Sequence, residues 1–587
     1  MTTVAVLGGG VAGLSAAHEL AERGFEVTVY EHRDVFGGKA RSMPVPGSGT
    51  GGRADLPAEH GFRFFPGFYR HLPDTMNRIP HGNRTVFHHL VNTTRMMIAQ
   101  TNGDNEIIGP TATPASFNDL EVALKFGWTI DTQLGIPQDE LAEFYERLLM
   151  YLASCEERRL KQWEYTGWWE FVEAEGKSKA YQNFLAIGMT RTLVAAQAKE
   201  MSARTGASIL WQLIFDMTRL GGHADRVLDG PTSEVWIDPW IDYLRSRDVM
   251  LCSGCEVEKI DCDGRRITGV TVRTATGSQP VDANYYIAAL PVERLKPLLT
   301  PELLATEPRL IPVSKVREES KDSENGALTV RWMNGIMFYL HRDVPVVNGH
   351  ILFVDSPWAL TAISQKQFWH AVDLTERGNG DVHGILSVDV SDWESPGLNG
   401  KSARECTSQE IHDEVWKQII AAIDDRFLKQ QNVVDWFLDE DIQFPNPNKV
   451  VNAEPLLVNT AGSWANRPDA LTRIPNFFLA SDYVRTNTDL ATMEAANEAA
   501  RRAVNGILKA TGSRARPCKV WPLHEPWIMT PFRMADRLRW RFGRPVKLPI
   551  RMTPDGELQP TGTRARGLLA ATRRSQAALN SVGARRR

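Results

Sequence analysis

The sequence predicts an α/β fold, a parallel sheet interleaved with an α+β region, and three observations predict it. The first 31 residues read strand, helix, strand. Strand-like apolar runs return at 249–291 and again at 476–483. Between these runs lie a mainly helical block and a stretch that alternates apolar with polar residues, which is the mark of an antiparallel sheet.

The opening unit is the most specific. Val4-Ala5-Val6-Leu7 reads as a buried strand, and Gly8-x-Gly10-x-x-Gly13 turns it into an Ala/Leu-rich helix. Val27-Thr28-Val29-Tyr30 then runs to Glu31. Gly8 permits the tight turn, Gly10 lets a pyrophosphate approach bare backbone, and Gly13 lets the helix lie close to the sheet. Val11 and Ala12 begin the helix, where free N–H groups and the positive dipole end face an anion. Glu31 is placed to accept from ribose hydroxyls and to repel a 2′-phosphate. Together these parts form a Rossmann-like βαβ unit that binds a dinucleotide.

The residues after Glu31 select the dinucleotide. Glu31-x-x-Asp34-x-x-Gly37-Gly38-Lys39-x-Arg41-Ser42 resembles the second FAD fingerprint of the superfamily that contains the flavin amine oxidases and the phytoene desaturases. The chain looks most like the phytoene (carotenoid) desaturase-like members, over roughly residues 1–510. The resemblance implies FAD, with Gly38 offering backbone to the cofactor and Lys39 or Arg41 meeting a phosphate or ribose. In Glu59-His60-Gly61-Phe62-Arg63-Phe64-Phe65, Gly61 matches the glycine of a segment that runs under the flavin, so His60, Phe62 and Arg63 are expected near the ring. Val257 matches a backbone position that meets adenine. Asn476-Phe-Phe-Leu-Ala-Ser-Asp482 followed by Met493-Glu494 resembles the closing FAD motif. There Asp482 orders the ribityl and pyrophosphate region, and the backbone of Met493 and Glu494 starts a helix at the flavin. The family usually has Gly-Asp where this chain has Ser481-Asp482.

These matches divide the chain into FAD-binding at 1–115, a helical substrate or membrane-facing insertion at 116–230, and FAD-binding again at 231–295. A substrate domain with an antiparallel sheet spans 296–460, FAD-binding closes at 461–510, and a basic extension occupies 511–587. The fold class is thus a Rossmann-like FAD-binding domain with an interleaved α+β substrate domain. Trp163, Trp168, Trp169 and Phe171 mark the insertion as aromatic-rich, and Thr407-Ser-Gln-Glu410 is a capping box opening a helix with Ile411, Val415, Ile419 and Ile423 on one face.

The resemblance further implies desaturation of an isoprenoid, carotenoid-like or other lipid-like substrate by hydride transfer to flavin N5. Oxygen or a quinone would be the acceptor, and no metal is needed. Arg63, His60 and Tyr483 are the polar candidates near the ring, with Arg485 beside them. Three alternatives stand: an amine or amino-acid oxidase releasing peroxide, a redox-neutral isoprenoid isomerase or dehydroxylase, and a flavin-binding scaffold without turnover.

Composition agrees with a large enzyme. At 587 residues, 42% hydrophobic and 24% charged, the chain can build two or three cores. No run approaches the length of a membrane span, and no leader-like segment opens the chain. The 6 cysteines are scattered, as suits a reducing cytoplasm. Cys252-Ser-Gly-Cys255 has metal-like spacing but no second ligand pair, so a structural role is expected. Residues 514–587 carry 17 Lys+Arg against 4 Asp+Glu, within a chain whose net charge is −4. On a helix, Arg533, Arg537 and Arg541 form one stripe and Phe532, Ala535, Leu538 and Phe542 gather on another side. This tail either lies on the inner face of a membrane or packs on the enzyme's own acidic body. Nucleic acid is not expected, since no binding module accompanies the basic stretch.

Overall fold

A parallel sheet of five strands carries the fold, in the order Met250–Cys252, Glu26–Tyr30, Thr3–Leu7, Tyr285–Ala288, Phe477–Leu479. The computed structural model describes residues 2–101, 107–111, 124, 128, 134–188, 190, 197–218, 223, 225–318, 326–423, 428–446, 449–563, 565–567 and 570. Val4 to Leu7 are buried on both faces, which is why this strand reads as continuous apolar sequence instead of alternating. Helix Val11–Ala21 makes the first crossover, and helix Met493–Thr511 packs beside it. Both helices begin at the carboxyl ends of the strands, where open α/β sheets bind ligands. A separate hairpin sheet, Glu256–Cys262, Ile267–Thr274 and Gly277–Val281, branches from this region.

The alternating stretch forms a seven-stranded sheet centred on Asn334–Leu340 and Gly384–Val390. It is antiparallel apart from one parallel pair, Arg95–Ala99 with His350–Phe353. The sequence predicts one buried face, yet both central strands are buried throughout. The reason is double cover. Helix Ser408–Ala422 packs one face through Ile411, Val415 and Ile419, while Met43, Leu56, Trp369 and Leu374 cover the other. That helix has the capping box read from the sequence, Thr407 and Glu410 satisfying each other's backbone N–H groups.

A third core holds helices Gln138–Ala153 and Ala203–Thr218 around Phe144, Trp168, Phe171 and Trp211. Trp163, Trp168 and Phe171 are core here; Trp169 is half-buried at its edge. Much of 112–133 and 189–196, within the expected insertion, lies outside the described residues. The tail packs on this core through Ile528, Met529, Ile550, Met552 and Leu558. Among the described residues no helix is long and apolar enough to cross a membrane. Cys252 and Cys255 are free thiols; strand Met250–Cys252 pairs with Glu26–Tyr30, and the Cys255 amide donates to the Glu31 carbonyl.

Candidate active site

One large cleft opens at the carboxyl ends of the parallel strands. Its cavity volume is ≈ 320 Å³, at the lower end of the roughly 300–1,000 Å³ of small-molecule sites.

Glycine geometry builds the nucleotide side. Gly8 has φ +106°, and a Cβ there would sit 2.7 Å from the Ala289 carbonyl oxygen. A Cβ on Gly13 would sit 1.9 Å from the Gly8 carbonyl oxygen, so only glycine lets the helix approach the turn. Gly10 differs: a Cβ there meets nothing nearer than 3.7 Å. The fold does not demand glycine at that point, and the bare cradle it leaves suits a pyrophosphate. Val11 and Ala12 line the cleft at a helix start that has no side-chain cap, so its amides are available to an anion. Gly38 (φ +56°) is stacked on Gly10, and the Gly37 amide donates to the Gly9 carbonyl at 2.9 Å.

Glu31 is buried at the end of its strand and lines the cleft. It accepts from the Gly9 amide at 2.7 Å and the Arg33 amide at 2.9 Å, and its other contact is His32 at 2.7 Å. Burial pushes this carboxyl up, but His32 and the amides outweigh it and hold it below the ordinary value. It is therefore an anion fit for ribose hydroxyls. Lys39 also faces the cleft, tied to Glu293 at 3.1 Å and to the Pro455 carbonyl. Arg41 does not face it. Its guanidinium is drawn to the Gly38 carbonyl, Glu440 and Asp441 at 2.9, 3.0 and 3.4 Å. Acids some 400 residues away in the chain have claimed this charge, so of the two bases only Lys39 lines the cleft.

The closing motif divides in the same way. Asp482 and Met493 line the cleft, and helix Met493–Thr511 starts there with Thr492 as its cap. The Glu494 side chain turns away. It accepts from the amides of Arg70, His71 and Leu72 and from His71 Nδ1. Val257 is not in the cleft either; it pairs with Val272 in the branching hairpin sheet.

Beyond the nucleotide region the wall changes character. His60, Gly61, Phe62 and Arg63 all line it, as their position in the sequence predicts, and Asp389 joins them from the centre of the seven-stranded sheet. Arg63 donates to the Lys39 carbonyl at 2.8 Å and lies 3.6 Å from Glu59. Burial pushes the Glu59 carboxyl up to about 7, against Arg63 and the Thr232 amide. His60 Nδ1 lies 2.6 Å from Asp439 and 3.6 Å from Asp441. Burial works against a charged His60, but the two aspartates prevail and its pKa is pushed up to about 9, making it a cation. His60, Asp439 and Asp441 have a spacing that could hold an ion; Arg33 and Arg41 already balance Asp441.

Asp389 is the residue that sequence reasoning missed. Its Oδ1 has no hydrogen-bond partner among the described residues. The carboxylate lies against the bare Cα of Gly61, where a Cβ would be 2.6 Å from Oδ1, and close to Gly335. Burial pushes it up to about 7, with Arg63, His60 and His350 pulling the other way. The signal available was an acid interrupting the apolar run Ile385–Val390. The rest of the wall is mainly apolar, with Phe64, Met201, Met333, Leu457, Val458 and Leu490, and the polar Tyr69, Asn459 and Thr492 among them. Tyr483 and Arg485 stand apart. Tyr483 is fully buried outside the cleft, its hydroxyl without a partner among the described residues, and Arg485 donates to the carbonyls of Trp464 and Ala465.

Residues 11–321 match the family described as flavin containing amine oxidoreductase. The chain belongs to that family. Among curated members of the wider superfamily, it is similar to a zeta-carotene desaturase from Synechocystis sp., at 25% identity over 86% of this chain and 97% of that one. It is also similar to a 15-cis-phytoene desaturase from Synechococcus elongatus, at 23% identity over 84% and 93%. Of solved structures, wild-type putrescine oxidase bound to putrescine superposes with TM-score 0.56 at 14% identity, over 86% of this chain and 99% of that one. Cyclohexylamine oxidase from Brevibacterium oxydans gives 0.54 at 14%, over 87% and 99%. At such identity the structures attest a shared fold. This flavin-containing oxidoreductase therefore uses FAD, acts on a small organic substrate, and is related in sequence and structure to both branches of the superfamily.

Proposed function

We propose that this enzyme dehydrogenates a hydrophobic, lipid-like substrate at carbon, as the names of its full-length sequence relatives suggest. The observation that supports this most is the composition of the wall past the flavin region. Apart from the polar Tyr69, Asn459 and Thr492 it is apolar outside one patch, and that patch holds the cations Arg63 and His60 beside its carboxylate Asp389. An ammonium ion would meet like charge there, whereas a hydrocarbon chain is received by Phe64, Met201, Met333, Leu457 and Leu490.

FAD, when bound, supplies two-electron acceptance from carbon. Gly8, Gly10, Val11, Ala12, Glu31, Gly38, Lys39, Asp482 and Met493 would hold it. The chain's own residues do the remaining work. The apolar wall excludes water and aligns the substrate carbon. The amides at the start of helix Met493–Thr511 favour negative charge at their end of the cleft. Asp389 Oδ1, which has no other partner among the described residues, receives the proton lost when the double bond forms; burial pushes this carboxyl up to about 7, and Arg63 with His60 limits that rise. Oxygen or a quinone is the acceptor in this reading.

The second reading is oxidation of an amine with peroxide release. It is favoured by the family's description, by the likeness of fold to the putrescine and cyclohexylamine oxidases, and by Asp389 as a seat for an ammonium group. Anaerobic mixing separates the two. The expected outcome is bleaching of the flavin absorbance by a polyene precursor and not by amines, with a product lighter by two hydrogens. Bleaching by an amine alone, followed by peroxide on admitting air, would overturn the proposal. A polyene product of unchanged mass would move the assignment to isomerisation.

A further inference from the structure

The tail helix Thr530–Arg541 is docked on the body by the face that sequence patterning would call polar. Asp536 is buried there, accepting from Arg158 Nε and Nη2 and from the Cys155 amide, each at 2.9 Å. Trp540 lies under the Arg158 guanidinium, and Ile528 and Met529 fill the helical core below. The opposite face turns outward. Trp527, Met534, Leu538 and Phe542 are 71%, 65%, 58% and 76% exposed. The first, second and fourth of these are the most exposed large apolar side chains among the described residues. Met534, Leu538 and Phe542 recur every four residues and so share one stripe of about a quarter of the helix circumference, and Trp527 stands in the short turn Trp527–Met529 just before the helix. Leaving so much aromatic and thioether surface in water is costly, and contiguous patches of this kind mark contact sites.

Charge decides what is contacted. Arg537, Arg541, Arg544 and Lys547 are exposed along the same segment; of these four, only Arg537 is bound to an acid among the described residues, Glu157. A second copy of the chain would set these cations against their own duplicates. An anionic surface would not.

We propose that this stripe is the enzyme's seat on an anionic lipid leaflet, with Trp527, Met534, Leu538 and Phe542 entering the interface and the flanking arginines meeting the headgroups. The inference goes beyond the substrate assignment and holds whether a polyene or an amine is oxidised.

The test uses the full-length, FAD-loaded protein with vesicles of phosphatidylcholine alone or mixed with phosphatidylglycerol, read by flotation and flavin absorbance. Binding to the mixed vesicles is expected, weakened by high salt and much lower on phosphatidylcholine alone. The combined variant Trp527→Ser, Met534→Gln, Leu538→Gln, Phe542→Ser should lose at least about tenfold in binding while keeping its flavin spectrum. A second variant, Arg541→Gln with Arg544→Gln, keeps the apolar stripe and should lose mainly the salt-sensitive part. Wild-type protein that stays in solution with both vesicle types overturns the proposal. So does an apolar variant that floats as well as wild type. A concentration-dependent dimer that the apolar variant abolishes, without any vesicle binding, assigns the stripe to self-association instead.

Discussion

The two ends of the cleft are built on opposite principles. The nucleotide end is made of backbone: glycines that admit close approach, helix starts with open amides, and one well-satisfied carboxylate, Glu31. The substrate end is made of side chains brought from separate strands and loops, with His60, Asp389, Asp439 and Asp441 buried and Arg63 half-buried beside them. Backbone recognition needs no ionisable group to be tuned. The substrate end depends on tuning, and its carboxyls are pushed apart in pKa: Asp389 and Glu59 up to about 7, Asp441 held well below the carboxylate range by His60 and Arg33 despite burial.

That contrast can be broken at several points, the first expected to have the largest effect. Gly13→Ala forces a methyl carbon to within 1.9 Å of the Gly8 carbonyl oxygen. It should yield protein that is insoluble or colourless, as flavin content per chain would report. Asp389→Asn should leave the flavin spectrum intact and lower kcat by roughly 10²–10⁴-fold, the range for loss of a proton acceptor. Flavin loss in this variant would show that Asp389 serves the cofactor end after all.

The pH profile sharpens the same point. A carboxyl pushed up to about 7 is neutral below that value and accepts no proton. Accordingly kcat/KM should fall as pH drops through about 7, and the fall should vanish in Asp389→Asn. Asp536→Ala leaves the buried Arg158 uncompensated and should cost about 3–5 kcal/mol of stability, read from the denaturant midpoint. Tyr483→Phe removes a buried hydroxyl that has no partner among the described residues, and should change neither turnover nor stability measurably.

The contrast also explains how much of the molecule is legible in the sequence. Close backbone approach leaves a one-dimensional trace, so Gly8, Gly10 and Gly13 are legible from spacing with the strands and helix that flank them, and Gly38 and Gly61 from the resemblance of their segments to flavoprotein motifs. Pairings across hundreds of residues leave none. Arg41 carries the same charge as Lys39 two positions away, yet Glu440 and Asp441 take it out of the cleft. Asp389 sits in an alternating strand, where an acid normally signals a solvated face; here the segment around Met43, Leu56 and Trp369 covers that sheet. The tail shows the same limit. Helical spacing groups Arg533, Arg537 and Arg541 as a basic stripe, but it also groups Phe532 with Leu538 and Phe542, because nothing local reveals that Arg158 anchors the helix by Asp536.

The contact between Glu494 and His71 reaches further than the cofactor helix. His71 Nδ1 lies 2.7 Å from Glu494, and its Nε2 accepts from the Trp521 amide at 2.9 Å, so one imidazole clasps the start of the tail to the first turn of that helix. Trimming the polypeptide before Trp521 would leave that ring half-satisfied at the first turn of helix Met493–Thr511. Proteolytic nicking of the extension should therefore register first as a bleached preparation, before any loss of helical signal.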